Sequence, residues 1–132
     1  MKAIDTNVLV RYIMQDDEKQ AALATQLIES CDEKQPAMIN HLVLCETLWV
    51  LTYTYKYNRK ELAPLLKQIL STENFEIPQS SLIWKAIYDY ENGNADFSDY
   101  LIGQTNLKLG AEGTWTFDKK AGKHGSFQLL KS

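Results

Sequence analysis

Histidine and cysteine are scarce. The chain holds two of each, His41 and His124, Cys31 and Cys45, with no CxxC and no HExxH spacing. That argues against a zinc site. Two well-separated thiols fit a reducing cytosol better than a disulfide framework. Long apolar runs are missing as well. No stretch approaches the ~20 residues that a membrane span needs. The opening MKAIDTNVLVRY carries Asp5 where a signal peptide would have its apolar core. Prolines number three and glycines six, and no linker, low-complexity tract or repeat divides the chain. A net charge of −3 excludes a broadly cationic nucleic-acid coat, but not a local basic surface.

What remains is ordinary globular material, 45% apolar and 23% charged over 132 residues. That length predicts a single domain, 1–132, able to bury a core without disulfides. Charge is uneven within it. Acids dominate the first thirty residues, whereas Lys108, Lys119, Lys120, Lys123 and Lys131 near the end face only Glu112 and Asp118. This basic end can approach phosphates or simply solvate the surface.

Strand and helix patterns alternate. Lys2–Ile4 reads as a strand ending at Asp5, and Thr6 as the cap of a helix from Asn7 to Met14. A second helix opens on Asp16-Asp17-Glu18, where its dipole favours acids. Ala37–Ile39 is a strand, and Asn40 caps a long helix to about Tyr55. A helix over Arg59–Leu70 carries Pro64, which predicts an irregular first turn or a later start. Phe75–Ile77, Thr114–Phe117 and Phe127–Leu130 complete five strands. Helices from Ser80 or Ser81 to about Glu91 and from Asp96 to Gly110 lie between them. Such alternation predicts an α/β fold with a parallel sheet and helices on both faces.

Ligands of such sheets bind beyond the carboxyl ends of the strands. Two strands here end in an acid, Asp5 and Asp118. That becomes informative if the strands are neighbours. Glu46 has Leu42, Val43, Trp49 and Val50 as helical neighbours. It therefore lies either with the buried stripe or at its edge. Asp96 and Asp99 share a helix face, as an N-cap with a capping-box acid or as site residues. Four carboxylates in one pocket would repel strongly, since charges ~5 Å apart cost about 3 kcal/mol per pair at an effective dielectric of ~20. A hard cation held by oxygen ligands, Mg²⁺ or Mn²⁺, would relieve this and suits phosphodiester hydrolysis. Thr6, Asn7 and Thr116 flank the acids and are candidates to orient them, or plain cap and strand residues.

These segments, Ile4 to Tyr12, Leu42 to Val50, Asp96-Phe97-Ser98-Asp99-Tyr100-Leu101-Ile102 and Thr116-Phe117-Asp118, resemble PIN-domain nucleases, and more narrowly the VapC-like toxins of toxin–antitoxin pairs. The resemblance implies a five-stranded parallel sheet flanked by helices and a Mg²⁺- or Mn²⁺-dependent ribonuclease site. Asp5, Glu46, Asp99 and Asp118 would be its catalytic acids, with Asp5, Asp99 and Asp118 holding the metal and Asp96 left as a cap. It also implies an RNA substrate, a cognate antitoxin whose tail blocks the acidic pocket, a homodimer and a cytoplasmic setting. Trp49, Tyr53, Tyr55 and Tyr57, followed by Lys56, Arg59 and Lys60, offer partner surface, unless Trp49 is core and the tyrosines only cover the helix. Lys119, Lys120 and Lys123 offer phosphate contacts. A non-catalytic RNA- or protein-binding module on the same fold is the rival reading. A receiver or phosphatase is disfavoured because Thr6 and Asn7, not further acids, follow Asp5.

Overall fold

The structure is a computed structural model that describes residues 1–131. They fall into two compact units, Met1–Pro78 and a second beginning at Gln79. The first unit runs β1 (Lys2–Ala3), α1 (Thr6–Met14), α2 (Glu18–Glu29), β2 (Ala37–Met38), α3 (His41–Tyr53), α4 (Arg59–Leu70) and β3 (Phe75–Glu76). The second runs α5 (Ser80–Asn92), α6 (Phe97–Lys108), β4 (Thr114–Thr116), a 3₁₀ turn (Ala121–Lys123) and β5 (Phe127–Leu129).

All strand pairing is parallel, as the alternation requires, but one five-stranded sheet is not formed. Among the described residues β1, β2 and β3 make a three-stranded sheet with β2 central, and β4 pairs with β5 alone. Strands of two or three residues carry few rungs, so each ladder stops early. The two strands that precede Asp5 and Asp118 consequently stand in different ladders.

In the first unit α1 packs on α2 and on α3. The core takes Leu9 and Val10 from α1, Ala21, Ala24 and Ile28 from α2, and Leu44, Leu48 and Leu51 from α3. The cap of α1 is Asp5 rather than Thr6, because the chain is already helical at Thr6. α4 runs unbroken through Pro64, with no late start. Its first turn is held by the Asn58–Glu61 capping box, and Leu62, Ala63, Leu66 and Ile69 bury its inner face. In the second unit α5 and α6 pack together around Ile83, Ile87, Phe97 and Tyr100. The turn between them depends on Gly93, where a Cβ would lie 1.9 Å from the Tyr100 hydroxyl oxygen. Among the described residues no helix is long and apolar enough to cross a membrane, and both cysteines are free.

Candidate active site

Each unit presents a strand-end aspartate with a second acid beside it. In the first, Asp5 lies one residue past β1, after the buried Ile4, and is exposed. Its Oδ1 accepts from the Val8 backbone N–H at 3.1 Å, the usual N-cap bond. Capping fixes the carboxylate at the helix mouth and leaves Oδ2 for a ligand. Thr6, released from capping, donates its hydroxyl to Glu46 Oε1 at 3.1 Å. Thr6 thus ties the α3 glutamate to the residue next to Asp5. Asn7 is exposed and lines, with Asp5, Val8 and Arg11, a groove of about 340 Å³.

Glu46 does not point into the core. The buried stripe of α3 is Val43, Leu44, Thr47, Leu48 and Leu51, and Glu46 lies on the opposite, exposed face. Leu42, at 76% exposure, and Trp49, at 59%, share that face. Trp49 is therefore not core. Its ring lies 5.3 Å from that of Tyr53, which is also exposed. Tyr55 has a structural duty instead, donating to Asp16 Oδ2 at 2.6 Å and accepting from Arg11 at 3.3 Å.

In the second unit Asp118 follows β4 and is exposed. Its Oδ1 accepts from the backbone N–H of Lys120 at 2.8 Å. Its own N–H donates to Thr116 Oγ1 at 2.9 Å, so Thr116 shapes the turn that aims this carboxylate. Asp96 is the N-cap residue of α6, and Asp99, three residues on, accepts from the Asp96 N–H at 3.3 Å. Burial pushes the Asp99 carboxyl above the ordinary aspartate value, the bond from Asp96 pulls it back, and the charges of Asp118 and Asp96 push it up further. Asp99 and Asp118 are thus near enough to repel. Lys119, Lys120 and Lys123 are exposed. Lys120 and Lys123 line a cavity of about 250 Å³ with Asn92, Asn94 and His124.

Asp99 and Asp118 offer only carboxylate oxygen and repel one another, a chemistry that suits a hard divalent cation. Among the described residues no three acid, histidine or cysteine side chains are gathered closely enough to enclose an ion by themselves. One polar cluster escapes sequence reasoning. Asp89, buried in α5, accepts from Gln104 Nε2 at 2.6 Å and pairs with His124 Nε2 at 3.0 Å. His124 Nδ1 in turn accepts from the Ser126 N–H at 3.1 Å. This chain ties α5, α6 and the loop after Asp118 together. Its one sequence signal is an acid in mid-helix beside the apolar Ala86, Ile87 and Tyr90.

The PIN domain family model matches residues 2–125. A curated relative, "VapC ribonuclease" of Aquifex aeolicus (strain VF5), is 25% identical over 125 residues, covering 95% of this chain and 93% of the relative. No solved structure matches. Since the family match runs over nearly the whole sequence, with its strand-end acids and the helix acids beside them, the chain belongs to the PIN-domain family.

Proposed function

We propose that the chain is a divalent-cation-dependent endoribonuclease, the toxin of a toxin–antitoxin pair, and that its two units make a single PIN domain over 1–132 working in the cytoplasm. The observation that carries this is the doubled motif, a strand-end aspartate with a helix acid beside it in each unit, together with the raised carboxyl of Asp99. Asp5, Asp99 and Asp118 hold Mg²⁺ or Mn²⁺, with Glu46 serving the same reaction. When bound, such a cation supplies an activated water and stabilises charge on the scissile phosphate. Thr6 occupies Glu46 Oε1 and leaves Oε2 to accept a proton from attacking water. Thr116 keeps the Asp118 turn rigid, and Asn7 lies at the rim. Lys119, Lys120 and Lys123 take substrate phosphates.

The family resemblance adds two partners. One is an antitoxin, for which the exposed Leu42, Trp49 and Tyr53 around Glu46 offer apolar contact and the acids offer a seat for an arginine. The other is a second copy in a homodimer.

One observation favours the rival, a binding module that does not cut. Asp5, Asp99 and Asp118 each already accept a backbone N–H, so all three have structural work without a cation. RNA turnover separates the readings. With antitoxin-free protein and Mn²⁺, the wild type should cleave RNA and Glu46→Gln should be strongly impaired. Intact RNA after long incubation with the wild type would favour the binding module.

A further inference from the structure

Nothing in the proposed reaction uses the Asp89–His124 pair of the second unit. Asp89 is buried, and a buried carboxylate is costly without partners. Its Oδ2 accepts from Gln104 Nε2 at 2.6 Å, and its Oδ1 lies 3.0 Å from His124 Nε2. On the other edge of the imidazole, the Ser126 N–H donates to His124 Nδ1 at 3.1 Å. A backbone N–H can only donate. Nδ1 therefore carries the lone pair, and the ring hydrogen sits on Nε2, aimed at Asp89. Tyr100 meets the same ring edge-on, with centroids 5.4 Å apart.

His124 stands at the far end of the turn that begins at Asp118, and backbone bonds link the two stepwise. The Gly122 N–H donates to the Asp118 carbonyl at 2.9 Å, and the His124 N–H to the Ala121 carbonyl at 3.0 Å. Asp118 Oδ1 takes the Lys120 N–H. A 3₁₀ turn of three residues has poor hydrogen-bond geometry and little stability of its own. The His124 side chain fastens it to α5. Tyr100 follows Asp99 directly in α6, and its hydroxyl accepts from the Ala95 N–H at 3.1 Å, beside Asp96. One imidazole thus bears both on the turn of Asp118 and on the start of the helix that carries Asp99. Those two carboxylates repel, so an unfastened turn would drift away from α6. We infer that His124, braced by Asp89, is a positioning residue that keeps the Asp118 carboxylate within reach of Asp99. This rests on the ribonuclease reading and adds to it what holds two of its acids together before a cation arrives.

Asparagine and glutamine divide the imidazole between them. His124→Asn puts an oxygen where Nδ1 stands and loses the bond to Asp89. His124→Gln reaches Asp89 with its amide N–H and gives up the Nδ1 acceptor. Hydrogen exchange followed by NMR in EDTA reads the turn at the Lys120 and Gly122 amides, with Ile87 in α5 as reference. His124→Asn and Asp89→Ala should each speed exchange at both turn amides roughly tenfold relative to Ile87, whereas His124→Gln should keep most of the protection. An unchanged turn, or Ile87 accelerated by the same factor, would overturn the brace. So would equal losses in His124→Asn and His124→Gln, since the bond to Asp89 would then not be what counts. Calorimetric titration with Mn²⁺ asks whether the position matters. His124→Asn should lose several-fold in affinity and His124→Gln little, and equal Mn²⁺ affinity in wild type and His124→Asn would overturn the positioning role. A wild-type chain that takes up no Mn²⁺, yet loses turn protection on His124→Asn, keeps the brace and loses the cation-dependent ribonuclease reading.

Discussion

Gly103 lies where α6, which carries Asp99, meets β5, the partner of the strand that precedes Asp118. A Cβ at Gly103 would lie 2.5 Å from Ser126 Oγ, 2.7 Å from Phe127 Cε2 and 3.2 Å from Ser126 Cβ. Alanine in mid-helix normally gains about 1 kcal/mol over glycine. Here that gain meets an overpacking cost of about 1–3 kcal/mol. Ser126 cannot swing aside freely, since it is 2% exposed and its hydroxyl lies 2.7 Å from His124 Nδ1. Losing that hydrogen bond adds about 1 kcal/mol. Gly103→Ala should therefore destabilise the chain by about 2 kcal/mol, a fall in melting temperature on the order of 8 °C for a chain of this length. Thermal unfolding followed by circular dichroism measures it. Adding Ser126→Gly removes two of the three clashes and should recover part of the loss in Gly103→Ala, a non-additivity expected only of residues in contact. A Gly103→Ala variant more stable than wild type would mean that the helix gain is realised and that α6 and β5 are not so closely packed.

Three further outcomes follow from the geometry. The raised carboxyl of Asp99 means that the folded chain holds this proton more tightly than the unfolded chain, so stability falls as pH climbs from the ordinary aspartate value through the raised one. Asp99→Asn should thus melt higher than wild type at neutral pH in EDTA, with the gap closing under acid conditions where both forms are neutral, and a lower melting temperature at neutral pH would contradict the assignment. The Tyr55 hydroxyl is the largest cause holding the Asp16 carboxyl below its usual value, so NMR titration of Tyr55→Phe should show Asp16 titrating higher, and an unmoved titration would deny the bond. Burial pushes the Cys45 thiol up to about 11, so a thiol-reactive dye at mildly alkaline pH should label the native chain slowly and the denatured chain fast.

The places of Asp5 and Asp118 in the chain are legible in the sequence, because each stands just past a short strand, one residue beyond its end. Other features are legible only in three dimensions. Both sides of the helix around Glu46 carry large apolar residues, Leu42 and Trp49 on one, Val43 and Leu48 on the other. Periodicity cannot choose between such faces, and packing chooses the second. Asp89 has no local signal of its partner, since His124 stands thirty-five positions away and is brought in by the fold. The division of five strands into two ladders likewise depends on where very short strands run out of rungs, which no propensity encodes.

The most direct measurement is Mn²⁺ affinity by isothermal titration calorimetry on four chains: wild type, Asp5→Asn, Asp118→Asn and the double variant. If acids of both units serve one centre, each single substitution abolishes most of the binding heat and the double variant is scarcely worse than either. Full binding in both single variants, or losses that simply add, would assign the two aspartates to unconnected jobs and end the nuclease reading.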